Sequence, residues 1–301
     1  MDRPPDIAIV GPGKVGTALG ICAARAGWPV VAVGGGRPGH AELAARKIGE
    51  AAFPRGAPAP RAAPSSADVA AAGGLVLLTV PDDAIGRVCG ELAEAGAFAR
   101  GAVVAHCSGA LGSDVLAAAR DRCGRRVGSM HPLQTFPTVA AAVERLAGSY
   151  CFIEGDGEAA GVLEKLARAI GAVPVAIAPA AKALYHAAAV MACNYLVAMQ
   201  DAAAELAAAA GVERATWLAA VGPILRATVD NVLALGPGAA LTGPIARGET
   251  GTLARHGQAL AAAPAGPREL YAALGRYTID LALRSGRIYE ATAGRLRTAL
   301  Q

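Results

Sequence analysis

Gly11-Pro12-Gly13-Lys14-Val15-Gly16 is the feature that most limits what this chain can fold into. The spacing GxGxxG by itself marks many ordinary turns. Here it follows the apolar run Ile7–Val10 and opens a stretch with Val15, Ala18, Leu19, Cys22, Ala23 and Ala26 at helical spacing. A second apolar run at 30–33 comes next, so the glycines sit in the turn of a strand–helix–strand unit. Each glycine then has its own reason. Gly11 permits a tight turn, Gly13 lets backbone approach a pyrophosphate, and Gly16 lets the helix lie close on the strand. The free amides around Pro12, Lys14 and Val15 face the phosphates from the helix N-terminus. A dinucleotide is the ligand this arrangement suits.

The end of the second strand separates the two nicotinamide dinucleotides. A site for the unphosphorylated form places a carboxylate there for the ribose 2′-hydroxyl. This chain reads Val33-Gly34-Gly35-Gly36-Arg37 instead. A guanidinium can grip a 2′-phosphate in a charge-assisted, two-pronged contact, so Arg37 points to NADP(H). The alternative is a surface residue that opens the next helix.

Further apolar runs at 75–80, 102–105, 127–130, 150–153 and 173–177 alternate with helical patterns. Buried strands separated by helices predict a parallel sheet covered on both faces. Residues 53–66, with four prolines, read as a connecting loop. Beyond about residue 178 the strands stop. Helical periodicity runs on, broken at Gly211, Gly222–Pro223, Gly236–Pro237–Gly238, Pro264–Gly266–Pro267 and Gly286. The expected fold is α/β, with a doubly wound, mostly parallel sheet in residues 1–178 and an all-α domain in residues 179–301.

Composition narrows the partners. With 54% hydrophobic but only 4% aromatic residues, helices must pack closely on Ala, Val and Leu. A formal charge of +4, with basic residues scattered apart from Arg120, Arg122, Arg125 and Arg126, argues against nucleic acid. No run reaches the roughly 18 uncharged apolar residues of a membrane span, and the longest candidate covers residues 187–199. The N-terminus has no signal-peptide pattern, so the cytoplasm is expected. The six cysteines show no CxxC pair and no metal-ligand spacing with histidine, so no metal is expected.

Val80-Pro81-Asp82-Asp83-Ala84-Ile85, His106-Cys107-Ser108-Gly109-Ala110-Leu111, His131-Pro132-Leu133-Gln134-Thr135-Phe136 and Leu241-Thr242-Gly243-Pro244 follow the glycine loop in order. Taken together, the chain resembles the Rossmann-like NADP oxidoreductases that carry a C-terminal helical domain of unknown function. The resemblance spans nearly the whole sequence. Wider relatives are pyrroline-5-carboxylate reductase, ketopantoate reductase, prephenate dehydrogenase and the β-hydroxyacid dehydrogenases. It implies a reductase that moves hydride to a C=O or C=N carbon of a small carboxylate, with ketopantoate as first candidate. The rivals are a pyrroline-5-carboxylate- or prephenate-type oxidoreductase and a non-catalytic NADP(H)-binding sensor or partner protein.

The loops after the strands lie at the ligand edge of such a sheet. Val80, Pro81 and Asp82 meet the cofactor through backbone, or Asp82 caps the next helix. Ser108 and the amides around Gly109 can bond the nicotinamide, and His106 the substrate. Cys107 is a poor nucleophile candidate, because adjacent strand residues face opposite sides and His106 would not meet it. His131 is either a substrate contact or a loop organiser. Lys182, His186 and Asn194 lie at spacings of four and eight on the first helix after the sheet, which predicts one polar stripe facing a cleft. The β-hydroxyacid dehydrogenases carry a Lys-x-x-x-Asn pair on this helix, and His186 stands where their Asn falls. The resemblance therefore implies that Lys182, His186 or His131 is the proton donor. Thr242, Gly243, Pro244 and Arg247 occupy the place of the substrate-binding Thr-Ser-Pro loop of pyrroline-5-carboxylate reductase, with Gly243 in place of the serine. A homodimer joined through residues 179–301 is expected from the Ala- and Gly-rich helices.

Overall fold

The computed structural model describes residues 3–37, 39–56 and 58–300. Among the described residues eight strands form one sheet: β1 (Ile7–Val10), β2 (Val30–Gly34), β3 (Arg61–Ala63), β4 (Leu75–Leu78), β5 (Val103–His106), β6 (Arg126–Leu133), β7 (Tyr150–Gly155) and β8 (Val173–Ala176). Their order is β3-β2-β1-β4-β5-β6-β7-β8. Every neighbouring pair is parallel except β6 and β7, which run antiparallel with His131 opposite Phe152 and Ser129 opposite Glu154. All residues of β1 and β4 are buried, as strands covered on both faces must be.

Helices α1 (Lys14–Arg25), α2 (His40–Ala52), α3 (Ser66–Ala70), α4 (Asp82–Glu94), α5 (Ala117–Cys123), α6 (Val139–Leu146) and α7 (Gly157–Ala169) cover the sheet. Two apolar clusters result, one holding Ile7, Ile9, Leu19, Ile48, Leu75, Leu77 and Leu163, the other Val10, Val76, Leu78, Ile85 and Leu92. The basic residues near α5 are spread over its surface and tied to it. Arg120 pairs with Asp121, Arg122 with Glu94 and Arg126 with Glu158.

The remaining helices are α8 (Lys182–Ala209), α9 (Arg214–Leu235), α10 (Pro237–Ala240), α11 (Gly243–Ala246), α12 (Thr250–Leu260), α13 (Ala265–Arg284) and α14 (Glu290–Ala299). The chain divides into two compact units, residues up to Val190 and residues from Met191 onward, so the division falls inside α8. The second unit has its own small core of Ile245, Leu253, Ile279, Ala282, Ile288, Ala293 and Leu296.

Three expectations from the sequence need correction here. Residues 53–66 are not all loop: β3 lies within them as a three-residue edge strand paired to β2, and edge strands tolerate nearby prolines. Gly222–Pro223 does not end a helix, because α9 runs through Pro223 as one continuous helix. By length and composition α9 is also long and apolar enough to cross a membrane. Arg226 and Asp230 hide that property from a search for uncharged runs.

Candidate active site at the sheet edge

The loop from β1 to α1 has the shape its glycines predict. Gly11 holds φ at +84°, and a Cβ there would lie 2.5 Å from Val80 Cγ1. A Cβ on Gly16 would meet Thr79 Oγ1 and, at 2.9 Å, Ile9 Cγ2, so only glycine lets α1 lie this close to β1 and β4. Gly13 is different: a Cβ there would touch nothing nearer than the Gly11 carbonyl, at 4.0 Å. It faces open space beside the α1 N-terminus, whose first amides have no partner within the helix. Thr79 Oγ1 donates to the Gly11 carbonyl at 2.7 Å and fixes the loop. A cleft of about 150 Å³ adjoins Gly13, with Lys14, Thr17, His40 and Lys47 on its walls. Open space, free amides and basic walls fit a diphosphate. Arg37 is exposed at the end of β2, after Gly35 and Gly36 with φ of +77° and +85°.

The loop after β5 is tied down by its own polar groups. Ser108 Oγ donates to Asp82 Oδ2 at 2.7 Å and accepts from the amides of Ala110 and Leu111. That hydroxyl and those two amides are therefore engaged within the protein, and Asp82 joins the start of α4 to this loop rather than capping it. His106 is fully buried. Its Nε2 lies 3.0 Å from the Gly112 carbonyl, which can only accept, and its Nδ1 accepts from the Ser108 amide. Both ring nitrogens are used, so the expected substrate contact by His106 is overturned. Burial pulls its pKa down to about 4, with Lys182 acting in the same direction. Cys107 is no nucleophile either, since burial and the neighbouring Cys151 push its thiol up to about 12.

Gly109 is where this loop meets the histidines. A Cβ on it would lie 2.5 Å from His186 Cδ2 and 2.8 Å from His131 Nε2. His131 is half-buried, and its Nδ1 lies 2.9 Å from the Tyr185 hydroxyl. The Tyr185 ring stacks against Phe152 with centroids 4.2 Å apart, and the His131 and His186 rings meet edge-on at 5.8 Å. Burial, then Lys182 and His186, lower His131 to about 4, whereas burial raises Tyr185 to about 12. At neutral pH the pair is an uncharged imidazole and a protonated phenol.

Lys182 stands apart from what the sequence led us to expect. It is fully buried; its Nζ donates to the Ser108 carbonyl at 2.8 Å and to Ser129 Oγ. An ammonium enclosed in this way is not presented to a substrate, which corrects its assignment as direct proton donor. Nor do Lys182, His186 and Asn194 form one stripe, being buried, half-buried and exposed in turn. Twelve residues along a helix return about 120° out of phase, so the spacing drifts off the face. Asn194 belongs to the second unit, as do Thr242, Gly243, Pro244 and Arg247. There Gly243 has φ +88°, a conformation that disfavours the serine of the related loop, and the exposed Arg247 pairs with Glu249 at 2.6 Å.

Sequence reading missed Tyr185, Ser129, Glu154 and Thr79. A signal existed for Ser129: it sits two residues before His131 on the same face of β6, a polar pair set among the apolar Val127, Gly128 and Met130. The lowered histidines also make a prediction about stability. An imidazole at about 4 in the fold and about 6.5 in the unfolded chain binds protons more readily once unfolded. Stability is then complete above about pH 6.5 and falls as pH drops toward 4, by up to about 1.4 kcal/mol per pH unit for each of His106 and His131. Urea unfolding between about pH 7 and pH 4.5 measures it; a flat profile would contradict the burial of these rings.

Two family models match, a Rossmann-like domain over residues 3–132 and a domain of unknown function, DUF2520, over residues 149–278. Together the two matches span most of the chain. Solved structures share the fold of this chain. A "putative NADP oxidoreductase" from Bacteroides fragilis superposes with TM-score 0.71 at 24% identity, covering 92% of this chain and 99% of that one. An imine reductase from a Pseudomonas species gives 0.63 at 18%, over 99% and 100%. A pyrroline-5-carboxylate reductase from Coxiella burnetii gives 0.56 at 13%, over 99% of both. No curated protein matches in sequence.

Proposed function

We propose that this protein is an NADPH-dependent reductase of a C=O or C=N bond in a small molecule. One observation carries the reading. The glycine cradle and the His131–Tyr185 pair occupy the same sheet edge, joined by direct contacts from Gly11 to Val80, from Asp82 to Ser108 and from Gly109 to His131. The folds of an NADP oxidoreductase, an imine reductase and a reductive aminase with NADPH bound are consistent with it. The resemblance to ketopantoate reductase is not reflected among these structures, so ketopantoate has no special claim.

The nicotinamide cofactor supplies the hydride when bound. Backbone at Gly13, Lys14 and Val15 would hold its diphosphate, and Arg37 is the candidate partner of its 2′-phosphate. The chain's chemical task is then to protonate the heteroatom. Tyr185 keeps its proton at neutral pH, and its hydroxyl is bonded to His131 Nδ1, which can stabilise the phenolate as the proton leaves. His186, across Gly109 from His131, lines the same place. Titration with NADPH and NADH, followed by an NADPH-oxidation screen over oxo acids, ketones and cyclic imines, tests the reading. Binding without turnover on any class would favour the sensor instead.

The partner reading follows from α9. Not one of its 22 residues is buried, and Leu218, Ile224, Val229, Val232, Leu233 and Leu235 are exposed. Monomers seldom leave apolar patches above a few hundred Å² bare, while a stable interface needs about 800 Å² from each partner. We assign this face to a second copy of the chain. Arg226 and Asp230, one turn apart, would offer complementary charges across a two-fold axis. Light scattering at micromolar concentration should give a dimer. A monomer, or a protein that partitions into detergent or membrane, would overturn the assignment.

A further inference from the structure

Lys182 is an expensive residue to bury, since an ammonium taken out of water costs several kcal/mol unless its bonds are replaced. Here two are replaced from different elements, the Ser108 carbonyl after β5 and the Ser129 hydroxyl of β6. Glu154, opposite Ser129 on β7, supports the charge from the far side, while its own oxygens accept from the Ser113 amide and hydroxyl at 2.8 and 2.7 Å. Cys107, Asp82, His106 and His131 are also close enough to interact with the ammonium.

The arrangement is a register. Along α8, Tyr185 follows Lys182 by three residues, an advance of about 4.5 Å. Along β6, His131 follows Ser129 by two residues on the same face, an advance of about 6.7 Å. Lys182 lies on Ser129 and Tyr185 on His131, so the first turn of α8 is laid parallel to β6, with the ammonium as its fixed end. We propose that Lys182 is a positioning residue: by pinning the start of α8 to Ser129 and to the Ser108 carbonyl, it sets the contact of Tyr185 with His131. Its charge has a second effect on the same pair. The groups facing His131 are Tyr185, His186 and Lys182 from α8 and Asp82 from α4, and the ammonium opposes protonation of the ring.

The proposal rests on reading the His131–Tyr185 pair as functional, but its test needs neither substrate nor cofactor. Imidazole resonances of isotope-labelled protein give the titration midpoint of His131, and the hydroxyl proton of Tyr185 reports their bond. In Lys182→Met the His131 midpoint should move up toward that of an ordinary imidazole and the Tyr185 hydroxyl signal should broaden. In Ser129→Ala, which keeps the ammonium and removes one anchor, both changes should appear in smaller degree. Ser129→Ala carries the test alone if Lys182→Met does not fold. An unchanged His131 titration in the folded variants would overturn the proposal, because a lysine that only fills space would leave it where it is. Loss of the reductase reading through the substrate screen would leave this result standing.

Discussion

Tyr185→Phe is expected to lower the rate of the reductive step by about 10²–10⁴-fold, the range for removing a general acid, with NADPH affinity nearly unchanged. The substitution deletes one oxygen. It keeps the ring that stacks on Phe152, so folding should survive. His131→Asn should give a smaller loss and a changed pH profile, because the phenol would remain but lose the imidazole that stabilises its anion. Single-turnover reduction measured across pH separates the two. A near-normal rate in Tyr185→Phe would move the proton source to His186 or to water. Lys182→Met would also slow the reaction, by displacing Tyr185, and the His131 titration would then reveal the indirect route.

Gly13→Val should weaken dinucleotide binding by about 100-fold or more while leaving stability close to that of the native protein. Losing two charge-assisted bonds to phosphate, at about 1.5–3 kcal/mol each, accounts for the size of the effect. The contrast with its neighbours gives the test its force. Side chains at Gly11 or Gly16 would collide with Val80, Thr79 or Ile9 and disturb the fold, but one at Gly13 projects only into the space beside the α1 amides. Isothermal titration with NADPH, beside urea unfolding of the same variant, reads both quantities. Native-like affinity in Gly13→Val would show that the diphosphate lies elsewhere.

The sheet was the most legible part of this sequence. Its central strands are apolar throughout because both faces are covered, and glycine turns and amphipathic helices separate them, so local pattern and tertiary environment agree. β3 was hidden because an edge strand of three residues, two of them exposed, need not be apolar and can sit among prolines. α9 kept its course past Gly222–Pro223 because a proline within a helix can be accommodated at the loss of one backbone bond. The cradle could be read residue by residue, since backbone geometry alone dictates its glycines. The polar cluster could not. Lys182, Ser129 and Glu154 are separated by 25 residues or more in sequence and acquire their roles only when the start of α8 is laid along β6, beside β7. A sequence shows a lysine on a helix; whether it meets substrate or is enclosed depends on packing that no spacing rule contains.

The reversal of the sheet after β6 has a directional consequence. β7 and β8 run against the other strands, but β8 ends at Ala176 beside Ile153, level with Met130 and one residue beyond the end of β5, and from there the first turn of α8 runs along β6 from Ser129 to His131. The helix therefore behaves like a ruler with its zero at Lys182 and its reading at Tyr185. A residue inserted between those two marks would turn the phenol by about 100° away from His131. The same insertion ahead of Lys182 need only lengthen a connector. Tolerance to length changes should thus switch abruptly within a few residues, from permissive in the turn before α8 to forbidding in its first turn.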